Sequence, residues 1–226
     1  MWDDIIFYTI ISRVSSPFGL QKKGDFFMKN MKLVVMIEVA IMAAVALILD
    51  LLPSIPIFNT SISIAMVPIF ILAFRWGFKA STVAGFLWGI LQIVVGDLQA
   101  LTLWQVILEY LFAFACIGTA GLFAPGIQNA LRNKKIGLSI ALIVLATFVG
   151  GFTRYIWHFI AGVTIWASYA PEGMSPFINS LIVNGGSYLG AAILCSIVLA
   201  ILLITAPRII LDRPSNGISQ KRIEVK

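Results

Sequence analysis

From Lys32 onward, apolar residues gather into about six long runs separated by short polar segments. The runs cover about Leu33–Leu52, Ile62–Phe74, Ala80–Val95, Leu103–Phe123, Ile136–Trp157 and Phe177–Ile204, and the fifth continues as a polar-faced stretch to Trp166. About 20 apolar residues cross a ~30 Å hydrocarbon core as a helix. The second and third runs are shorter and need flanking polar groups or cover from their neighbours. Backbone groups in lipid must be satisfied within the segment, so the runs are predicted to be helices. None alternates with the period of two that a barrel strand requires. The predicted fold is an all-α integral membrane bundle of six transmembrane helices.

Composition agrees. Of 226 residues, 60% are hydrophobic, and the mean hydropathy is +0.98, well above that of soluble domains. The formal charge of +6 is not gathered into a nucleic-acid patch; it sits in the linkers. Lys29 and Lys32 precede the first run. Arg75 and Lys79 lie between the second and third, and Arg132, Lys134 and Lys135 between the fourth and fifth. Arg208, Arg213, Lys221, Arg222 and Lys226 follow the sixth. The remaining linkers hold Asp97 and Glu172, with Asp50 at the edge of the first. Basic linkers stay on the cytoplasmic side, so both termini are expected in the cytoplasm of a bacterial cell, with the protein multi-pass in the cell membrane. Glu38 falls near the cytoplasmic end of the first run.

The first 27 residues stand apart. They lack the basic start and unbroken apolar core of a signal peptide. The stretch Lys22-Lys23-Gly24-Asp25 can be encoded by a purine-rich ribosome-binding sequence just ahead of the Met28 codon. Residues 1–27 are therefore expected to be leader, residues 28–210 the membrane domain and residues 211–226 a cytoplasmic tail.

Once each run has a direction, Trp88, Glu109, Tyr110, Arg154, His158, Gly162, Trp166 and Asn184 fall toward one depth, in the outer half. Ionisable groups in lipid are costly and mark function. Arg154, His158, Gly162 and Trp166 recur at every fourth position and share one helix face. Gly162 leaves room for a flat group between His158 and Trp166. One carboxylate among aromatic faces, an imidazole, an amide and a cationic donor suits a flat, cationic or hydrogen-bonding heteroaromatic. Plainer readings exist. Glu109 and Arg154 could neutralise each other, and Asn184 could be a helix–helix hydrogen bond. Trp104, Trp157 and Trp166 could form an interfacial belt, with Trp76 at the other face.

Other chemistry is missing. Cys116 and Cys195 lie in apolar runs with no CxxC pair, and there is one His, no HExxH and no P-loop. No catalytic or metal site and no cofactor is expected. Ala40 and Ala44 form a small-x3-small pair that lets another helix approach closely.

From about Met31 to Arg208 the chain resembles the thiamine-specific substrate-binding (S) component of energy-coupling factor transporters, the ThiT family. The segments that carry the resemblance are Met66–Arg75, Phe86–Leu91, Leu108–Phe114, Arg154–Val163 and Val183-Asn184-Gly185. The resemblance implies a six-helix bundle that captures thiamine from outside at high affinity, then works with a transmembrane scaffold subunit and two cytoplasmic ATPases. It implies that Glu109 offsets the thiazolium charge, and that Trp166 and His158 stack on or bond the ligand rings. Tyr110, Asn184 and Trp88 would complete the pocket, Gly162 would give clearance, and Ala40 and Ala44 would face the scaffold. Arg154 stands where the family carries a lysine, and Asn59, Gln99 and Asn179 stand where it carries aromatics. The rival readings are an S component for another vitamin such as riboflavin, a secondary transporter without ATPases, and an intramembrane serine hydrolase built on Ser187 and His158.

Overall fold

A computed structural model of the chain describes residues 18–52, 55–57 and 60–211. Most of the expected leader, all but the first residue of the expected tail, and Asn59 lie outside the described residues. The element order is α1 (Phe18–Asp50), β1 (Ile55–Ile57), β2 (Thr60–Ile62), α2 (Val67–Trp76), α3 (Phe78–Val95), α4 (the helical run Leu103–Arg132), α5 (Ile136–Thr164), α6 (Pro176–Thr205) and the short α7 (Arg208–Leu211). Five helical segments are long and apolar enough to cross a membrane: Leu33–Asp50 of α1, and α3, α4, α5 and α6. The sixth apolar helix, α2, has 10 residues and reaches only ~15 Å at 1.5 Å per residue.

The predicted second run is the one the structure changes most. Ile62 ends a strand rather than opening a helix, and β1 and β2 form an antiparallel hairpin with Ile55 opposite Ile62. Pro68 then falls in the first turn of α2, where a missing N–H costs nothing. Every residue from Val67 to Phe74 is buried, as befits a helix that is apolar all round. The predicted fourth run also extends, from Phe123 to Arg132, because Pro125 opens a new helical segment instead of ending the old one.

Helix α1 buries one stripe, Val39, Ala43, Ala46 and Leu47, at three- and four-residue steps. Its other face shows Met36, Ile37, Ile41, Val45 and Ile48 to the outside, with Ala40 and Ala44 exposed among them. Helices α5 and α6 run antiparallel along much of their length. Ser175 caps α6 by accepting the Ile178 N–H at 3.3 Å, and Pro176 follows it.

Helices α3 and α4 meet backbone to backbone. A Cβ on Gly85 would overlap the Phe114 carbonyl, and one on Gly89 would overlap the Tyr110 carbonyl oxygen and sit 2.8 Å from its carbon. Small residues permit this approach, and van der Waals packing then holds helices that share a lipid environment. The contact also fixes the segment of α4 that carries Glu109.

At the far end of the bundle a polar clasp joins four elements. Glu38 Oε2 takes Arg75 Nε at 2.9 Å and the Trp76 indole N–H at 2.6 Å. Arg75 Nη1 also donates to the Ile209 carbonyl at 2.6 Å. The Gln128 amide caps the Phe74 carbonyl at 2.6 Å. These bonds gather the basic ends of α2, α4 and α7 at one end.

Overpacking a close contact costs about 1–3 kcal/mol or more. Gly89→Val is expected to lower the melting temperature of the detergent-solubilised protein by several degrees. Gly137→Ala, at a helical position with nothing within 4 Å of the new Cβ, is expected to leave it unchanged or raise it, by up to about 1 kcal/mol of helix propensity. A Gly89→Val protein that melts like the parent would contradict the packing described.

Candidate functional site

Helix α4 is not a uniform helix. It runs α over Leu103–Val106, π over Ile107–Phe112, α again over Ala113–Cys116, 3-10 over Ile117–Phe123, and α over Ala124–Arg132. A π turn inserts an extra residue into the ladder and is common at functional sites. Here it carries Glu109 and Tyr110. The start of α4 is set by Thr102, whose hydroxyl accepts the Gln105 N–H at 3.1 Å.

Glu109 is 9% exposed and ringed by donors. Gln105 Nε2 donates to Oε2 at 2.6 Å, and the Trp166 indole N–H reaches the same oxygen at 3.2 Å. His158 Nδ1 lies 3.4 Å from Oε1. Arg154 Nε donates to His158 Nε2 at 3.3 Å, so Nε2 is the acceptor and Nδ1 carries the proton toward Glu109. His158 is thus held as the neutral tautomer that donates to the carboxylate.

These groups open onto a cavity of about 830 Å³. Glu109, Tyr110, Arg154, His158, Gly162, Trp166 and Asn184 all line it, so seven of the eight predicted site residues meet on one surface. Gln99 and Asn179 line it too. The Gln99 N–H donates to the Tyr110 hydroxyl at 3.2 Å, and its carbonyl accepts from Gln105 at 2.6 Å. The eighth, Trp88, is fully buried behind the wall. Its ring packs edge-on to Phe114 at 4.4 Å, and the Arg154 guanidinium sits 5.3 Å from its centre.

Two predicted roles look different in place. Gly162 lines the cavity, but its missing side chain first makes room for a neighbouring helix. A Cβ there would overlap Ser180 Oγ and lie 2.8 Å from Asn184 Nδ2. Asn184 in turn donates to the His158 carbonyl at 3.3 Å and to Ser180 Oγ at 3.1 Å, tying α6 to the functional face of α5. Nor do Glu109 and Arg154 form a pair. Arg154 instead stacks over Phe114 at 4.4 Å and bonds His158. Both ring nitrogens of His158 are therefore engaged, by Glu109 and Arg154.

Residue-type reasoning missed Gln105, Phe114, Gln92 and Asp50. Gln105 lies four residues before Glu109, a spacing that places both on one helix face; that signal was available. Gln92 and Asp50 belong to helices far apart in sequence. Gln92 Nε2 donates to Asp50 Oδ2, and both residues line the cavity.

The chain's relatives carry the same message. The family profile described as thiamine transporter protein matches residues 36–211. The thiamine transporter ThiT of Bacillus subtilis strain 168 is 41% identical over 186 residues, which are 80% of this chain and 96% of that protein. ThiT of Lacticaseibacillus paracasei is 36% identical over 197 residues, 85% of this chain and 98% of its own. The solved structure of ThiT from Listeria monocytogenes superposes with a TM-score of 0.77 at 36% identity, covering 80% of this chain and 99% of that one. These proteins are transporters, not enzymes. With five apolar helices of membrane-crossing length, the chain is a multi-pass membrane protein, and it belongs to the thiamine transporter protein family.

Proposed function

We propose that this chain is the thiamine-capturing subunit of an ATP-driven vitamin importer, an S component that works with an energy-coupling scaffold and two cytoplasmic ATPases. In this reading residues 28–210 form a six-helix membrane domain with both termini in the cytoplasm, and the cavity opens outward. The observation that carries it is Glu109. A carboxylate nine-tenths buried and held by three neutral donors is a counter-charge waiting for a cation. The thiazolium ring of thiamine supplies that cation, and Trp166, His158 and Tyr110 supply flat or hydrogen-bonding surface beside it. Asn184 holds the wall, and Arg154 and Trp88 back the floor. A neutral vitamin such as riboflavin gains nothing from a buried carboxylate.

The chain has no P-loop, so ATP hydrolysis belongs to partner subunits. Ala40 and Ala44 stand exposed on α1, on the face away from the cavity helices, and suit close approach of a scaffold helix. Binding and docking then occupy separate surfaces.

Thiamine titrated into the purified protein should quench tryptophan fluorescence, because Trp166 lines the cavity. Riboflavin or biotin binding more tightly than thiamine would overturn the assignment. Glu109→Gln keeps the shape and removes the charge. At ~2–4 kcal/mol for a desolvated charge pair, thiamine affinity should fall at least about thirtyfold; unchanged affinity in a folded variant would make the carboxylate structural. Ala40→Trp with Ala44→Trp should leave thiamine binding near that of the parent and stop ATP-dependent uptake in cells carrying the coupling complex. Normal uptake by that double variant would show that the scaffold docks elsewhere.

A further inference from the structure

Asp50 ends α1 and was expected at the edge of an outer linker. In the structure it faces inward. It lines the 830 Å³ cavity and also a smaller adjoining one of about 230 Å³. Arg154 lines both cavities too.

Arg154 poses an electrostatic problem. It is a guanidinium at membrane depth, packed on Phe114 and Trp88, in the site that is read as binding a cation. Among the described residues no carboxylate comes within 4.0 Å of it. Asp50 shares both cavities with Arg154, whereas Glu109 lines only the larger. Glu109 itself is engaged by His158, Gln105 and Trp166. Asp97, the remaining acid on the cavity lining, is exposed at the mouth.

We infer that Asp50 is a specificity-determining residue: it neutralises Arg154 across the cavity, and so leaves the charge of Glu109 unspent for a cationic ligand. The inference rests on the thiamine reading above and adds to it a residue from a helix outside the main constellation. With His158 neutral, the buried Glu109 and the half-buried Asp50 stand against one guanidinium, and the site carries one net negative charge. A thiazolium brings that total to zero. Without Asp50 the empty site is neutral, and a bound cation leaves an uncompensated positive charge at low dielectric, where charges interact strongly. Gln92, buried on α3, fixes the carboxylate by donating to it.

The effect is one of charge rather than shape, and that separates it from a packing role. The test compares thiamine with its neutral isostere, in which carbon replaces the quaternary thiazolium nitrogen, by titration calorimetry on detergent-solubilised protein. Asp50→Asn is expected to weaken thiamine binding by roughly 10- to 100-fold and to change isostere binding by less than about threefold. Asp50→Asn combined with Arg154→Gln removes both members of the pair and restores the net negative charge. It is expected to bind thiamine more tightly than Asp50→Asn alone, and it serves also if the single variant folds poorly. Equal losses for both ligands, no loss for either, or a double variant no better than the single would overturn the inference and leave the thiamine reading standing. A parent protein that binds neither ligand would overturn both.

Discussion

A carboxylate can stay charged at membrane depth only if donors surround it, and the architecture around Glu109 exists to meet that condition. Gln105 comes from one turn earlier on the same helix, and His158 and Trp166 from α5 and the segment after it. Removing any of them would leave part of the charge unsolvated, at a cost of one or more kcal/mol. Because the donors are neutral, they hold the charge without cancelling it. An ion pair would have satisfied Glu109 equally well and left nothing for a ligand.

The helices that deliver these groups are themselves positioned by close contacts. Gly85 and Gly89 let α3 press on the α4 backbone at Phe114 and Tyr110, next to the π turn that turns Glu109 inward. Gly162 does the same between α5 and α6, where Asn184 and Ser180 bond across to the His158 and Phe159 carbonyls. The functional side chains project from backbones pinned on both sides, which limits how far the pocket can relax when empty. The unlike ends of the bundle follow the same logic. One end holds the cavity, and the other is closed by the Glu38–Arg75–Trp76 clasp.

Much of this was legible from residue types. Five of the six apolar runs became helices, although α1 begins earlier, at Phe18, and α4 and α5 run on to Arg132 and Thr164. Depth alone grouped seven residues that the structure brings to one cavity. Hydropathy fails where geometry is decided by neighbours. It could not show that the stretch from Ile62 begins as a hairpin strand, since a short apolar run reads alike as strand or helix. It also could not bring Asp50 and Arg154 to one cavity, because the two sit on helices far apart in the chain. Trp88 and Gly162 were picked out by position, and the contacts that the structure shows for them are with protein groups. Each was imagined against a ligand, and each first meets a neighbouring helix or side chain. Gln105 was readable from its spacing to Glu109 and was passed over because an uncharged amide attracts no notice in an apolar run.

The shortness of α2 bears on how the protein is made. A ten-residue apolar helix cannot hold its own place in a bilayer, and the insertion machinery has little reason to release it sideways into lipid. Its stability is borrowed from α3 and α4, which are synthesised after it, and from α7, where the Ile209 carbonyl receives Arg75 and Ile210 is fully buried. Biogenesis therefore cannot proceed strictly in chain order. The second helix stays provisional until the ribosome has delivered residues some 130 positions downstream, so a stalled or prematurely ended chain would expose this buried segment to the quality-control proteases of the membrane.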